Sequence, residues 1–174
     1  MSNAIKWGGI MAIGIIIMTL VFHVLGLSEP DNSMGSVLTT LLSYAISIGA
    51  LVMGILAYKK ANDDYLTIGN GIVQGLLIAL IGGLLIAIFS FVYYSFVDPA
   101  LLERMKEASL SQSTGDENQD EMMESMMDIM FSPASLAGIT VFMKLCLGFF
   151  VGLIAGAVFK NESPNFNNTL DTNL

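Results

Sequence analysis

Four long apolar runs separated by polar segments set the pattern of the chain. The third is the clearest: no charged side chain stands between Ile72 and Val97, and most residues there are Leu, Ile, Val, Phe, Ala or Gly. About 26 residues of helix at ~1.5 Å rise reach roughly 39 Å, enough to cross a hydrocarbon core of ~30 Å with some tilt. In lipid every backbone N–H and C=O needs a partner within the structure, which selects a helix over a lone strand. The pattern predicts an all-α membrane protein with four transmembrane helices over about 7–27, 35–58, 70–97 and 134–159. Trp7 takes the place of an interfacial aromatic, and Tyr58-Lys59-Lys60 that of an aromatic and basic anchor. Lys6 resembles the charged start of a signal peptide, but the run after it is too long and no A-x-A site follows, so the segment reads as a retained span.

Between the spans the polar pattern is equally readable. Ser28-Glu29-Pro30-Asp31-Asn32 is a short turn, and residues 61–67 a short loop. Asp98-Pro99 reads as an N-cap with proline at the first helical position, opening a short helix to about Ser109. Thr114-Gly115-Asp116-Glu117 fits a capping box that opens a second helix, running to about Phe131 and ended by Ser132-Pro133. On that helix Met123, Met126, Met127 and Met130 fall opposite Glu117, Glu121, Glu124 and Asp128. Residues 98–133 are thus expected to be a helical loop between the third and fourth spans. One transmembrane domain is expected over 1–160, followed by a disordered polar tail over 161–174.

Composition strengthens the membrane reading: 54% of the 174 residues are hydrophobic, more than a soluble domain of this length can hide. The net charge of −8 is concentrated in Asp98, Glu103, Glu107, Asp116, Glu117, Asp120, Glu121, Glu124 and Asp128, set against Arg104 and Lys106, which argues against a nucleic-acid partner. Lys6, Lys59, Lys60 and Lys160 flank the other ends of the spans. By the positive-inside rule both termini face the cytoplasm and the acidic helical loop lies outside it.

Lys144 is the sharpest candidate for chemistry. It lies about ten residues into the fourth apolar run, where a charged amine costs ~2.5–3.5 kcal/mol on insertion scales. It shares a helix face with Thr140, Gly148, Val151 and Ala155, a packing face rather than a lipid face. By depth its neighbours include Ser43, Tyr44, Ser90 and Tyr94, with His23 slightly shallower. Two readings are open: a polar pocket in which Lys144 binds an anion or relays a proton, or a lysine that snorkels outward or pairs with Asp98. The second span carries hydroxyls at Ser36, Thr39, Thr40, Ser43 and Ser47. Gly148, Gly152 and Gly156, and Gly71 with Gly75, form small-xxx-small repeats that serve internal helix packing or dimerisation. The methionine face of the loop suits a membrane surface or a partner protein better than a soft metal, and no metal site is expected. Cys146 stands alone in an apolar run and excludes a disulfide framework. No phosphate loop, HExxH pair, nucleophile elbow or cysteine–histidine cluster occurs, so neither enzyme activity nor a cofactor is expected.

Two blocks carry a family resemblance. Tyr65-Leu66-Thr67-Ile68-Gly69-Asn70-Gly71, running to Phe91-Val92-Tyr93-Tyr94-Ser95-Phe96-Val97-Asp98-Pro99, and Phe131-Ser132-Pro133 with the glycine-rich span after it, resemble a bacterial family of small four-span membrane proteins, domain of unknown function 4199. The resemblance runs from Ile5 to about Lys160 and implies a multi-pass protein of the bacterial inner membrane. It implies no activity. The function expected is a structural or interaction protein presenting the acidic, Met-rich loop to a partner protein, a second copy or the bilayer. The alternative is a small-solute or lipid binding or transport module built around Lys144.

Overall fold

The structure, a computed structural model, describes residues 2–27, 29, 32–110 and 126–161. Four helices are long and apolar enough to cross a membrane: α1 (Ser2–Val24), α2 (Ser33–Ala61), α3 (Ile68–Val92, continued to Val97 by a turn of π-helix, Tyr93–Val97) and α5 (Pro133–Val158). A shorter helix, α4 (Pro99–Leu110), follows the π turn, and residues 126–130 are helical just before α5. The capping box at Thr114, the stretch of helix beginning at Asp116, Met123 and the tail beyond Asn161 lie outside the described residues.

Each helix start has a local cause. Asn32 caps α2 by accepting from the Gly35 N–H at 2.9 Å, and Thr67 caps α3 by accepting from the Asn70 N–H at 3.2 Å. Asp98 Oδ1 accepts from the Leu101 N–H at 3.1 Å, with Pro99 where a missing N–H is harmless. The helix before it stops at Met130, where Ser132-Pro133 was expected to end it, and Ser132 also caps α5: its Oγ accepts from the Ser135 N–H at 3.2 Å, with Pro133 at the first helical position. The π turn closes where the Asp98 N–H reaches back five residues to the Tyr93 carbonyl at 3.0 Å.

α3 is the central element. α1 turns Ala4, Gly8, Met11, Ile15, Met18 and Phe22 inward at three- and four-residue spacing. It approaches α3 where Gly8 and Gly82 stand back to back: a Cβ on Gly8 would lie 2.9 Å from the Ile78 carbonyl, and one on Gly82 3.0 Å from the Gly8 carbonyl. α5 packs on α3 along its length and touches α2 more sparingly. Trp7 packs with Leu51 and Ile78 of the core, over Gly54 of α2, and its Nε1 is buried without a partner. At that end Asn3 Nδ2 donates to the Gly54 carbonyl at 2.8 Å, and Leu66 pairs antiparallel with Asn161. The lysines Lys6, Lys59, Lys60 and Lys160 therefore belong to one end of the bundle, and Glu29, Asp98 and α4 to the other.

Candidate functional site

The glycines singled out from sequence meet one another across α3 and α5. A Cβ on Gly71 would lie 2.7 Å from the Gly152 carbonyl and from the Gly156 Cα, and one on Gly152 2.7 Å from the Gly71 carbonyl. Gly75 and Gly148 stand equally close, each where a Cβ would overlap the other's backbone. The two helices touch backbone to backbone, which in lipid maximises dispersion contact where no hydrophobic force acts between apolar helices.

One turn beyond Gly148 toward the acidic end, the same interface carries Lys144. α3 presents Gly83 to its stem: a Cβ there would lie 3.2 Å from Lys144 Cβ. Held against α3, the side chain crosses to α2, where its Nζ donates to Ser47 Oγ at 2.8 Å and makes a longer, 3.5 Å approach to Ser43 Oγ. Ser47 is fully buried, and its own hydroxyl proton is spent on the Ser43 carbonyl at 2.7 Å. Its remaining oxygen lone pairs are therefore acceptors aimed at the amine. Of the readings left open by sequence, neither a lysine snorkelling to an interface nor a pair with Asp98 matches this geometry: Asp98 binds Arg104 instead.

A cleft of about 250 Å³ opens beside the amine, lined by Thr39, Thr40, Ser43, Tyr44, Met143, Lys144 and Leu147. Thr39 and Thr40 also line a second cavity, of about 410 Å³, between α2, the π turn and α4, which reaches Ser36, Glu29, Tyr93, Tyr94, Met105 and Phe131. The hydroxyls Ser36, Thr40, Ser43 and Ser47 follow one another at intervals of four, three and four residues, so one face of α2 lines the way from the second cavity to Lys144. Thr39 and Thr40 donate to the carbonyls of Gly35 and Ser36, at 2.8 and 2.9 Å, which satisfies them in an apolar setting and leaves oxygen facing the cleft.

Among the residues expected around Lys144, the structure brings Ser43 to the amine, puts Tyr44 on the wall of the same cleft and Tyr94 in the neighbouring cavity. Ser90 is half-buried on α3 and lines neither cavity. His23 belongs to another group: its ring stands edge-on to Tyr93 at 5.5 Å, and its Nδ1 is 4.0 Å from Asp98 Oδ2. There Arg104 of α4 donates to Glu29 Oε2 at 2.7 Å and to Asp98 Oδ2 at 3.0 Å, tying α4 to the first loop and to the end of α3 beside the larger cavity, which Glu29 lines. Sequence reasoning named Ser47 only as one hydroxyl of α2; its four-residue step from Ser43 was the signal that would have placed it at the amine. No such signal joins Glu29 to Arg104, which are 75 residues apart. Of the methionine face, Met126 and Met130 are exposed and Met127 is half-buried, and Lys106 of α4 pairs with Asp128 beside them.

Four apolar helices, three of them packed on a central α3, with polar groups gathered at one end and in one cleft, define a multi-pass helical membrane protein. Within that class, the chain belongs to the family described as protein of unknown function (DUF4199), whose model matches residues 6–161. No curated protein and no solved structure matches the chain.

Proposed function

We propose that the protein is a membrane-embedded binding module for a small solute or a lipid headgroup, with its site in the cleft beside Lys144. The observation that carries this reading is the inward course of the amine. A lysine kept at membrane depth for stability alone would extend to the interface. Here the stem is accommodated by Gly83 and the amine turns toward Ser47, beside a cleft large enough for a headgroup. Intramembrane ionisable groups of this kind mark ligand or ion sites by default, because their cost is retained only where the charge is used. The protein is placed in the bacterial inner membrane with Lys6, Lys59, Lys60 and Lys160 on the cytoplasmic side, so that the larger cavity under α4 faces outward.

The test is to purify the wild-type chain and Lys144→Met from the same membranes in the same detergent and compare the small molecules that co-purify by mass spectrometry. The reading expects a species retained by the wild type and depleted at least several-fold from the variant. Identical profiles from two equally folded proteins would contradict it.

A second reading is favoured by a separate observation. Met126, Ile129 and Met130 are 66%, 70% and 46% exposed beside α4, an apolar face that the described part of the chain does not cover. It suits the expected structural or interaction role, in which the acidic loop contacts a partner protein or the bilayer surface. A photo-crosslinking residue at 126 should then capture one defined protein; capture of lipid alone would leave the membrane surface as its contact.

A further inference from the structure

The cleft also says what kind of ligand it takes. We infer that the ligand is an oxyanion, a carboxylate or phosphate group that becomes the counter-ion of Lys144. This rests on the reading of the cleft as a binding site.

Charge is the first argument. The described ion pairs are made elsewhere: Glu29 and Asp98 bind Arg104, with His23 also near Asp98, and Asp128 binds Lys106. Lys144 has hydroxyl partners and no described carboxylate. An ammonium half-buried among apolar helices with no counter-charge among the described residues is an unfinished arrangement, since hydrogen bonds to neutral hydroxyls offset only part of the desolvation of a full charge.

Donor capacity is the second. The ammonium has three N–H groups. One is committed to Ser47, and the Ser43 contact is long. What remains points the donor count toward the cleft, where an oxygen bearing negative charge makes the shorter and stronger kind of bond. A neutral ligand would leave the charge uncompensated, and a cation would be repelled.

The walls are the third. Around the amine the cleft is hydroxylic, from Thr39, Thr40 and Ser43, while Tyr44, Met143 and Leu147 give it an apolar side. At about 250 Å³ it holds a headgroup with a few carbons and not a whole phospholipid. The same oxyanion chemistry could arrive on an amphiphile from the bilayer or as a free anion through the larger cavity, and the experiment separates these sources.

The full chain is held in dodecyl maltoside, a detergent with neither carboxylate nor phosphate, and bound molecules are counted by native mass spectrometry against oleate, oleyl alcohol of the same chain length, and inorganic phosphate. The expected result is about one oleate per chain, bound roughly tenfold or more tightly than oleyl alcohol, a preference that Lys144→Gln abolishes and Lys144→Arg largely keeps. Displacement of oleate by inorganic phosphate identifies a free anion as a competent ligand; no displacement identifies the amphiphile as the source. Oleyl alcohol bound as tightly as oleate, or a preference for oleate that survives Lys144→Gln, overturns the oxyanion and leaves a binding cleft. If the folded wild type binds none of the three probes, the cleft reading falls with it. Should Lys144→Gln fail to fold, the comparison of oleate with oleyl alcohol on the wild type decides the matter alone.

Discussion

A lysine in the middle of an apolar helix can reach an interface, pair with a carboxylate, or find neutral acceptors and wait for a counter-ion. Among the described residues Lys144 meets the neutral acceptors Ser47 and Ser43, and the third course makes an asymmetric prediction. Lys144→Met removes a charge and leaves no orphan, because Ser47 already donates to the Ser43 carbonyl. Unfolding in detergent should then show stability unchanged or raised. Ser47→Ala instead strips the amine of its 2.8 Å acceptor and should destabilise by about 1–3 kcal/mol. Equal losses from both variants would show that the amine is structural. The second residue-scale prediction concerns Asp98, which is 14% exposed, caps α4 and binds Arg104, whereas Glu29 is 45% exposed and does only the last. Asp98→Ala should cost about 1–2 kcal/mol, with Asp98→Asn recovering the part due to the cap. Glu29→Ala should cost no more than about 1 kcal/mol, since half-exposed pairs are screened by solvent. At this scale the sequence exposed the anomaly of Lys144 but not its partner. Expense at depth is a property of one residue; which hydroxyl meets it depends on how α2 is rotated against α5. The cap at Asp98 was legible because the Asp-Pro pair contains its own geometry.

At the scale of elements, the contact between α3 and α5 is made by the absence of side chains. Gly71, Gly75, Gly148, Gly152 and Gly156 allow backbones to meet, and any Cβ there must part the helices. Gly152→Leu should therefore destabilise strongly, by roughly 1–3 kcal/mol or more. Gly49→Ala, where an added Cβ meets nothing within 4 Å, should be neutral or gain up to ~1 kcal/mol in helix propensity. Thermal unfolding of the two variants side by side separates a packing glycine from an incidental one; equal effects would deny the close approach. The repeats were visible in sequence, yet small-xxx-small spacing is the same for an internal seam and a dimer seam, and only the register of α3 on α5 distinguishes them. The π turn at Tyr93–Val97 was not legible at all, because an extra residue in one turn leaves no mark on an apolar pattern. It aims Tyr93 at His23 and brings Asp98 to the start of α4.

For the whole molecule, apolar length did most of the work. Runs long enough for a hydrocarbon core leave helices as the economical way to satisfy the backbone, and four such runs, the first three joined by short loops and the last by the longer connection that carries α4, give a helical bundle. That α3 is the centre of the bundle is a tertiary fact. Its glycines, on more than one side of the helix, let α1 and α5 approach it together. The cleft follows from that arrangement: α5 is bound closely to α3 and only loosely to α2, and Lys144 occupies the gap. The most direct measurement of the account is thiol labelling at one depth on two faces. In a Cys146→Ser background reconstituted in sealed liposomes, Ser43→Cys lines the cleft, while Phe142→Cys, two residues from Lys144, takes the place of a side chain that is 65% exposed on the outside of α5. A charged, membrane-impermeant thiol reagent requires water and a thiolate. The account predicts reaction at Ser43→Cys and none at Phe142→Cys. Equal reaction at both would show that no bilayer covers the bundle, and silence at both would show that no polar cleft reaches Lys144.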